Sequence, residues 1–146
     1  MAVTVKKAAL WRKEVEHRSG ELADTLEPLM AAGADLKVVM GYRFGPDLSM
    51  AAIEVSPIIG RKAITAAKQS GLAPSTIPAL LVEGDDKPGL GYAIASALGA
   101  ADISLNFMVA HVIGRRYSAV FGFKTEADAA EAARLIKKVR PPRKSR

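Results

Sequence analysis

The stretch "GDDKPGLGYAIASALGAADISL", residues 84–105, decides how this chain is read. Before it runs "IPALLVE", residues 77–83, apolar and of strand length. Two carboxylates, a lysine and a Pro-Gly pair stop that strand. Pro-Gly after two acids and a lysine reads as a turn, so the chain reverses here. "LGYAIASALGA", residues 90–100, then reads as a short helix rich in alanine.

Working outward, "DISLNFMVAHVI" (102–113) is a strand with Leu105, Phe107, Val109, His111 and Ile113 on one face. "GRR" turns the chain. "YSAVFGF" (117–123) returns with Tyr117, Ala119, Phe121 and Phe123 together. "TEADAAEAARLIKKV" (125–139) is a helix, with Thr125 as cap and Asp128 answering it. Its inner stripe is Ala129, Ala132, Ala133, Ile136 and Val139, small enough for the helix to lie close to its sheet.

The first half repeats this order. "VTVKKAALWRKEV" (3–15) reads as one extended segment and "HRSGEL" as a turn. "GELADTLEPLMAAG" (20–33) is a helix that Ser19 can cap, with Leu22, Leu26, Leu29 and Met30 inward, Pro28 awkward in its interior and Gly33 as its stop. "LKVVMGYRF" (36–44) alternates, and "LSMAAIEV" (48–55) runs back with Ala51, Ile53 and Val55 on one side. "PIIGRKAITAAKQSG" (57–71) is the second helix.

The expected fold is therefore α+β: two ferredoxin-like βαββα(β) units, with antiparallel sheets and helices on one face. The boundaries expected are 1–72 for the first unit, 73–76 for a linker, 77–139 for the second unit and 140–146 for a basic disordered tail. Neither half shows a clear final strand; "GLAP" is a poor one and "VRPPR" a worse one.

Composition excludes several classes. With no cysteine there is no disulfide or thiolate metal site. The longest apolar run, residues 103–113, is too short to span a bilayer and carries Asn106 and His111. No apolar leader precedes "VKKAALWRKEVEHR", so a cytoplasmic protein without membrane attachment is expected. The net charge of +6 does not describe the body of the chain, because six basic residues and no acid fall in the last ten positions. Nucleic-acid binding is accordingly not expected. His17 and His111 lack ligand partners at metal spacing. No nucleophile–base constellation or carboxylate pair stands out, so neither a cofactor nor a catalytic site is expected.

"DKPGLGYAIASALGAADISL" resembles the signature of the ACT domain: an acidic residue, Pro-Gly, a helix, then a step into the second strand. "HRSGELADTLEPLMAAGADLKV" matches the same pattern more loosely, and its helix reads about two residues longer. The resemblance covers residues 3–139 as two tandem units. It implies a stand-alone regulatory sensor without catalysis, pairing side by side as a homodimer, with an amino acid bound where units meet and an unknown regulated partner.

The residues support such a site. A ligand carboxylate suits the helix-start amides of Gly89 and Leu90, and of Gly20 and Glu21, with Ser19 a further ligand-binding candidate beside them. An ammonium suits Asp85, Asp86, Asp35 and Asp102, with Lys87 and His17 in the same loops. The family's Asn position is Asp in both halves, Asp35 and Asp102, which keeps an acceptor and loses a donor. His17 also replaces an expected acid, so the second unit is the favoured site. The plainer alternatives are a turn that merely starts a helix, within a structural or protein-interaction module, and a small ferredoxin-like enzyme.

Overall fold

The segment read as one N-terminal extension forms two strands that join different sheets. β1 (Thr4–Lys7) and β2 (Trp11–Glu16) are separated at Leu10, which is buried. The computed structural model describes residues 3–141. The basic residues Arg143, Lys144 and Arg146, and with them most of the expected disordered tail, lie outside the described residues.

After β2 come α1 (Glu21–Ala31), β3 (Val38–Phe44), β4 (Met50–Ser56), α2 (Arg61–Gln69) and β5 (Ala73–Pro74). The second run is β6 (Ala79–Asp85), α3 (Leu90–Ala100), β7 (Leu105–Ile113), β8 (Arg116–Phe123) and α4 (Glu126–Lys137). Two antiparallel sheets result, ordered β3-β4-β2-β5 and β1-β6-β8-β7. These are two ferredoxin-like units.

Each unit does possess its fourth strand. In the sheet of β2 it is the pair Ala73–Pro74, inside the "GLAP" segment, paired with Trp11 and Arg12. A two-residue edge is all that a proline there allows. In the other sheet the strand comes from the far end of the chain, since β1 pairs with β6 from Thr4↔Glu83 to Lys7↔Leu80. The compact units are consequently Ala9–Thr76, and the N-terminal residues to Ala8 together with Ile77 onward. The expected first unit, 1–72, had placed β1 in the wrong half.

The unit Ala9–Thr76 buries Leu29 of α1, Ile53 and Val55 of β4, Ala66 and Ala67 of α2, and Leu72. The inner stripe of α1 is Thr25 and Leu29, with Leu22 and Met30 exposed, so the four-residue face expected for this helix holds only in part. Pro28 sits inside α1 without ending it, and Gly20, not Ser19, is the cap, at φ 88° with no side-chain hydrogen bond. α2 begins at Arg61 behind Gly60, later than Pro57.

The other unit buries Leu80, Val82, Leu90, Ile94, Phe121 and Phe123 around the alanine stripe of α4. Thr125 Oγ1 accepts from Asp128 N at 3.1 Å, the expected cap. α3 has the same 11 residues as α1, so the shorter second helix expected is not found. In β7 a register shift between Leu105 and Phe107 reverses the alternation. Leu105 stays with the core, whereas Phe107, Val109, His111 and Ile113 pair with Gly122, Val120, Ser118 and Arg116, on the face opposite the core residues Tyr117, Ala119, Phe121 and Phe123. The single face expected for this strand is split by that bulge.

Candidate ligand-binding site

Within the unit Ala9–Thr76, Lys13 sets the start of α1 over the sheet. Lys13 lies opposite Ile53 on the helix-bearing face, and its Nζ reaches Glu21 Oε1 at 2.9 Å and Thr25 Oγ1 at 3.3 Å. The hydrogen bond from Lys13, and then that from Arg18, hold the Glu21 carboxyl below the usual carboxylate range. Arg18 Nη2 also reaches Asp24 Oδ2 at 2.7 Å, so the helix start is clamped by two cations and two carboxylates.

Beside this clamp is a hollow of about 300 Å³, wholly within residues 9–76. Its floor is sheet: Gly41 and Arg43 of β3, opposite Ile53 and Ala51 of β4. Its wall is the loop from His17 through Gly20 to Leu22. The space exists because two of the floor residues, Gly41 and Ala51, are small. A Cβ built on Gly41 meets nothing within 4 Å.

The matching place in the other unit is filled. Ala51 lies opposite Val15, five residues before the capping Gly20, and opposite Arg43. Tyr117 lies opposite Gly84, five residues before the capping Gly89, and opposite Val112. One sheet thus has Ala51, Gly41 and Arg43 where the other has Tyr117, Ala110 and Val112. Tyr117 is 5 % exposed and belongs to the core, and burial raises its phenol pKa. Its hydroxyl has no partner among the described residues.

The residues expected to bind are divided by the structure. His17, Ser19 and Gly20 line the hollow. Asp35 does not; it is exposed and pairs with Lys37 at 2.7 Å. In the second unit, Asp85, Lys87 and Leu90 border a smaller hollow of about 140 Å³. There Asp85 is held by Arg116 at 2.9 Å, and Asp86 N donates to Arg115 O at 2.8 Å. Gly89 caps α3 at φ 86°. Asp102, at φ 58°, donates its N–H to Gly99 O and borders neither hollow.

Two of the four amides expected to face a ligand are occupied: Leu90 N donates to Lys87 O at 3.1 Å, and Glu21 N to Arg18 O at 3.2 Å. The Gly20 and Gly89 amides have no acceptor among the described residues. Sequence reasoning missed Gly41, Arg43 and Ala51, whose signal is only side-chain size at paired positions on neighbouring strands.

On the opposite face of the same sheet, Glu54 is fully buried against Arg12 and Tyr42. Tyr42 OH donates to Glu54 Oε2 at 3.0 Å and Arg12 Nη1 lies 3.2 Å from the same oxygen. Burial alone would lower the Arg12 pKa; hydrogen bonds to Glu14 and Tyr42 and the charge of Glu54 reverse this and raise it. Among the described residues there is no group of three or more metal-ligating side chains, and no helix is long and apolar enough to cross a membrane.

No family model matches the chain, and no curated protein matches it in sequence. Solved structures do match. A protein from Bacteroides thetaiotaomicron superposes with a TM-score of 0.73 at 17 % identity, covering 92 % of this chain and 91 % of that one. The regulatory subunit of aspartate kinase from Thermus thermophilus, in its ligand-free form, gives 0.60 at 15 %, covering 93 % and 95 %. The corresponding subunit from Thermus flavus gives 0.58 at 18 %, again covering 93 % and 95 %. The chain shares its fold, two ferredoxin-like units in tandem, with these proteins over nearly the full length of each.

Proposed function

We propose that this chain is a non-catalytic regulatory sensor that binds a free amino acid in the hollow beside the start of α1. The observation that carries the reading is the hollow itself, left open by Gly41 and Ala51 at the mouth of a helix whose capping amide has no acceptor among the described residues. The ligand carboxylate meets the Gly20 amide and the positive end of α1, where the helix dipole favours an anion. The ammonium meets Glu21, whose oxygens each retain an acceptor position beyond their contacts with Lys13 and Arg18. A volume of about 300 Å³ is at the small end of ligand pockets and suits a molecule of amino-acid size.

Two of the proteins that share this fold are regulatory subunits of aspartate kinase, which supports a regulatory role here. β3 is the outer strand of its sheet, and it carries Gly41 and Arg43. A homodimer in which a second copy pairs along that strand closes the open side of the hollow and couples ligand occupancy to assembly.

Thermal unfolding with each of the twenty amino acids tests this. At a concentration of 100 Kd a true ligand adds about 2.7 kcal/mol. Gly41→Leu should leave the fold intact, since its side chain has room, and should abolish the shift by filling the hollow. No shift with any amino acid would leave a structural or protein-interaction module as the function. A shift that survives Gly41→Leu would place the ligand elsewhere.

A further inference from the structure

The charges lining the hollow are unequally engaged. Arg18 is balanced by Glu21 and Asp24, and Glu21 by Lys13 and Arg18, so that clamp is neutral as a group. Arg43 is different: among the described residues no carboxylate lies within ion-pair distance of it, and its engagement with Asp47 is through charge alone, a lesser cause, after the hydrogen bonds from Ser49, of that carboxyl's lowered pKa. Among the described residues its side chain makes one hydrogen bond, from Nε to Leu48 O at 2.7 Å. Leu48 adopts φ 58°, a left-handed conformation uncommon for leucine, and in it presents that carbonyl to the arginine. The guanidinium is thereby anchored through Nε, its two terminal nitrogens have no hydrogen-bond partner among the described residues, and Arg43 lines the hollow. That fork matches a carboxylate in plane and spacing.

The fold does not require a cation at this place. The equivalent position of the other sheet, opposite Tyr117, is Val112, and there the hollow is filled. A charge therefore accompanies the open site and is missing from the closed one.

We propose that Arg43 makes the hollow selective for an acidic amino acid, with the second carboxylate held by its terminal nitrogens. This rests on the amino-acid reading above and adds the class of ligand to it. The α-carboxylate and ammonium keep the partners already assigned, Gly20 and Glu21. The side-chain carboxylate crosses the floor over Gly41 to Arg43. A lysine-like ligand would put its cation against the guanidinium, and a neutral ligand would leave the fork to water.

Titration calorimetry on the full chain at low salt tests the inference, using aspartate and glutamate against asparagine and glutamine. One charge-assisted contact predicts that the better acid binds roughly tenfold to a hundredfold more tightly than its amide. Arg43→Gln should bring that ratio toward one, and Arg43→Lys should restore part of it, which a merely structural role for Arg43 would not do. Amides binding as tightly as acids, or a ratio unchanged in Arg43→Gln, would overturn the selectivity while leaving the amino-acid site standing. Absence of binding by all twenty amino acids to the wild-type chain would overturn the site and the inference together.

Discussion

Ala51 and Tyr117 hold the same position in their two sheets, each opposite the residue five places before a helix-capping glycine. The alanine leaves a hollow; the tyrosine closes one, with its hydroxyl buried and unpartnered among the described residues. An unsatisfied buried hydroxyl costs about 1–3 kcal/mol. Tyr117→Phe removes the polar atom and keeps the ring, so it should leave stability unchanged or raise it by about 1 kcal/mol. The urea midpoint measures this. A loss of more than about 1 kcal/mol would mean the hydroxyl has a partner after all.

Gly84 is where the N-terminal strand closes on its sheet. A Cβ there would lie 2.9 Å from Val3 Cγ1 and 3.1 Å from Val3 Cα. The backbone atom cannot swing aside as a side chain can. Gly84→Ala should push β1 off β6 and cost about 1–3 kcal/mol, the range for overpacking. Gly91, inside α3 with nothing within 4 Å, supplies the contrast. Gly91→Ala should gain up to about 1 kcal/mol from helix propensity. Limited proteolysis before Ala8 should accelerate in the first variant only; equal behaviour of the two would remove any special role for the Val3 contact.

That contact also marks the limit of what the sequence discloses. Local signals were legible: the Thr125–Asp128 cap, the alanine stripe of α4 and the hairpins. The tandem plan follows from their order. The source of the second unit's fourth strand was hidden, because Lys7 and Leu80 pair across the whole intervening unit and no local pattern encodes such a pairing. The bulge after Leu105 was hidden for a related reason: one extra residue leaves the apolar alternation intact on paper while reversing it in space. The site was half legible. His17, Ser19 and Gly20 stand in the turn, but the hollow depends on Gly41 and Ala51 being small together. That is a property of two strands in register, invisible in either strand alone.

Arg12 and Glu54 form a pair of which one member has no exposure at all. Glu54 Oε1 has no partner among the described residues, so its carboxylate depends on Arg12 and Tyr42. Arg12→Ala should therefore cost about 3–5 kcal/mol, the penalty of leaving a buried charge uncompensated. Replacing both with methionine should recover most of that loss, because the paired desolvation disappears with the pair. Chemical denaturation of the two variants decides the point. A double variant no more stable than Arg12→Ala would show that the polar pair itself is what the sheet needs.

Glu21 links stability to pH at the mouth of the hollow. Lys13 and Arg18 lower its pKa in the folded chain, while the unfolded chain titrates near the ordinary value of about 4.3. A depressed folded pKa contributes stability that is present above the unfolded value and is lost as pH falls through the folded one. Wild type should thus exceed Glu21→Gln in stability at neutral pH, and the difference should shrink steadily below about pH 4. Lys13→Met should remove most of the pH dependence, since the lysine is the largest cause of the shift. The measurement is the melting temperature of the three proteins between about pH 3 and 7, a range set by that unfolded value. A gap between wild type and Glu21→Gln that stays constant across the range would mean that the clamp under α1 holds the helix by packing alone.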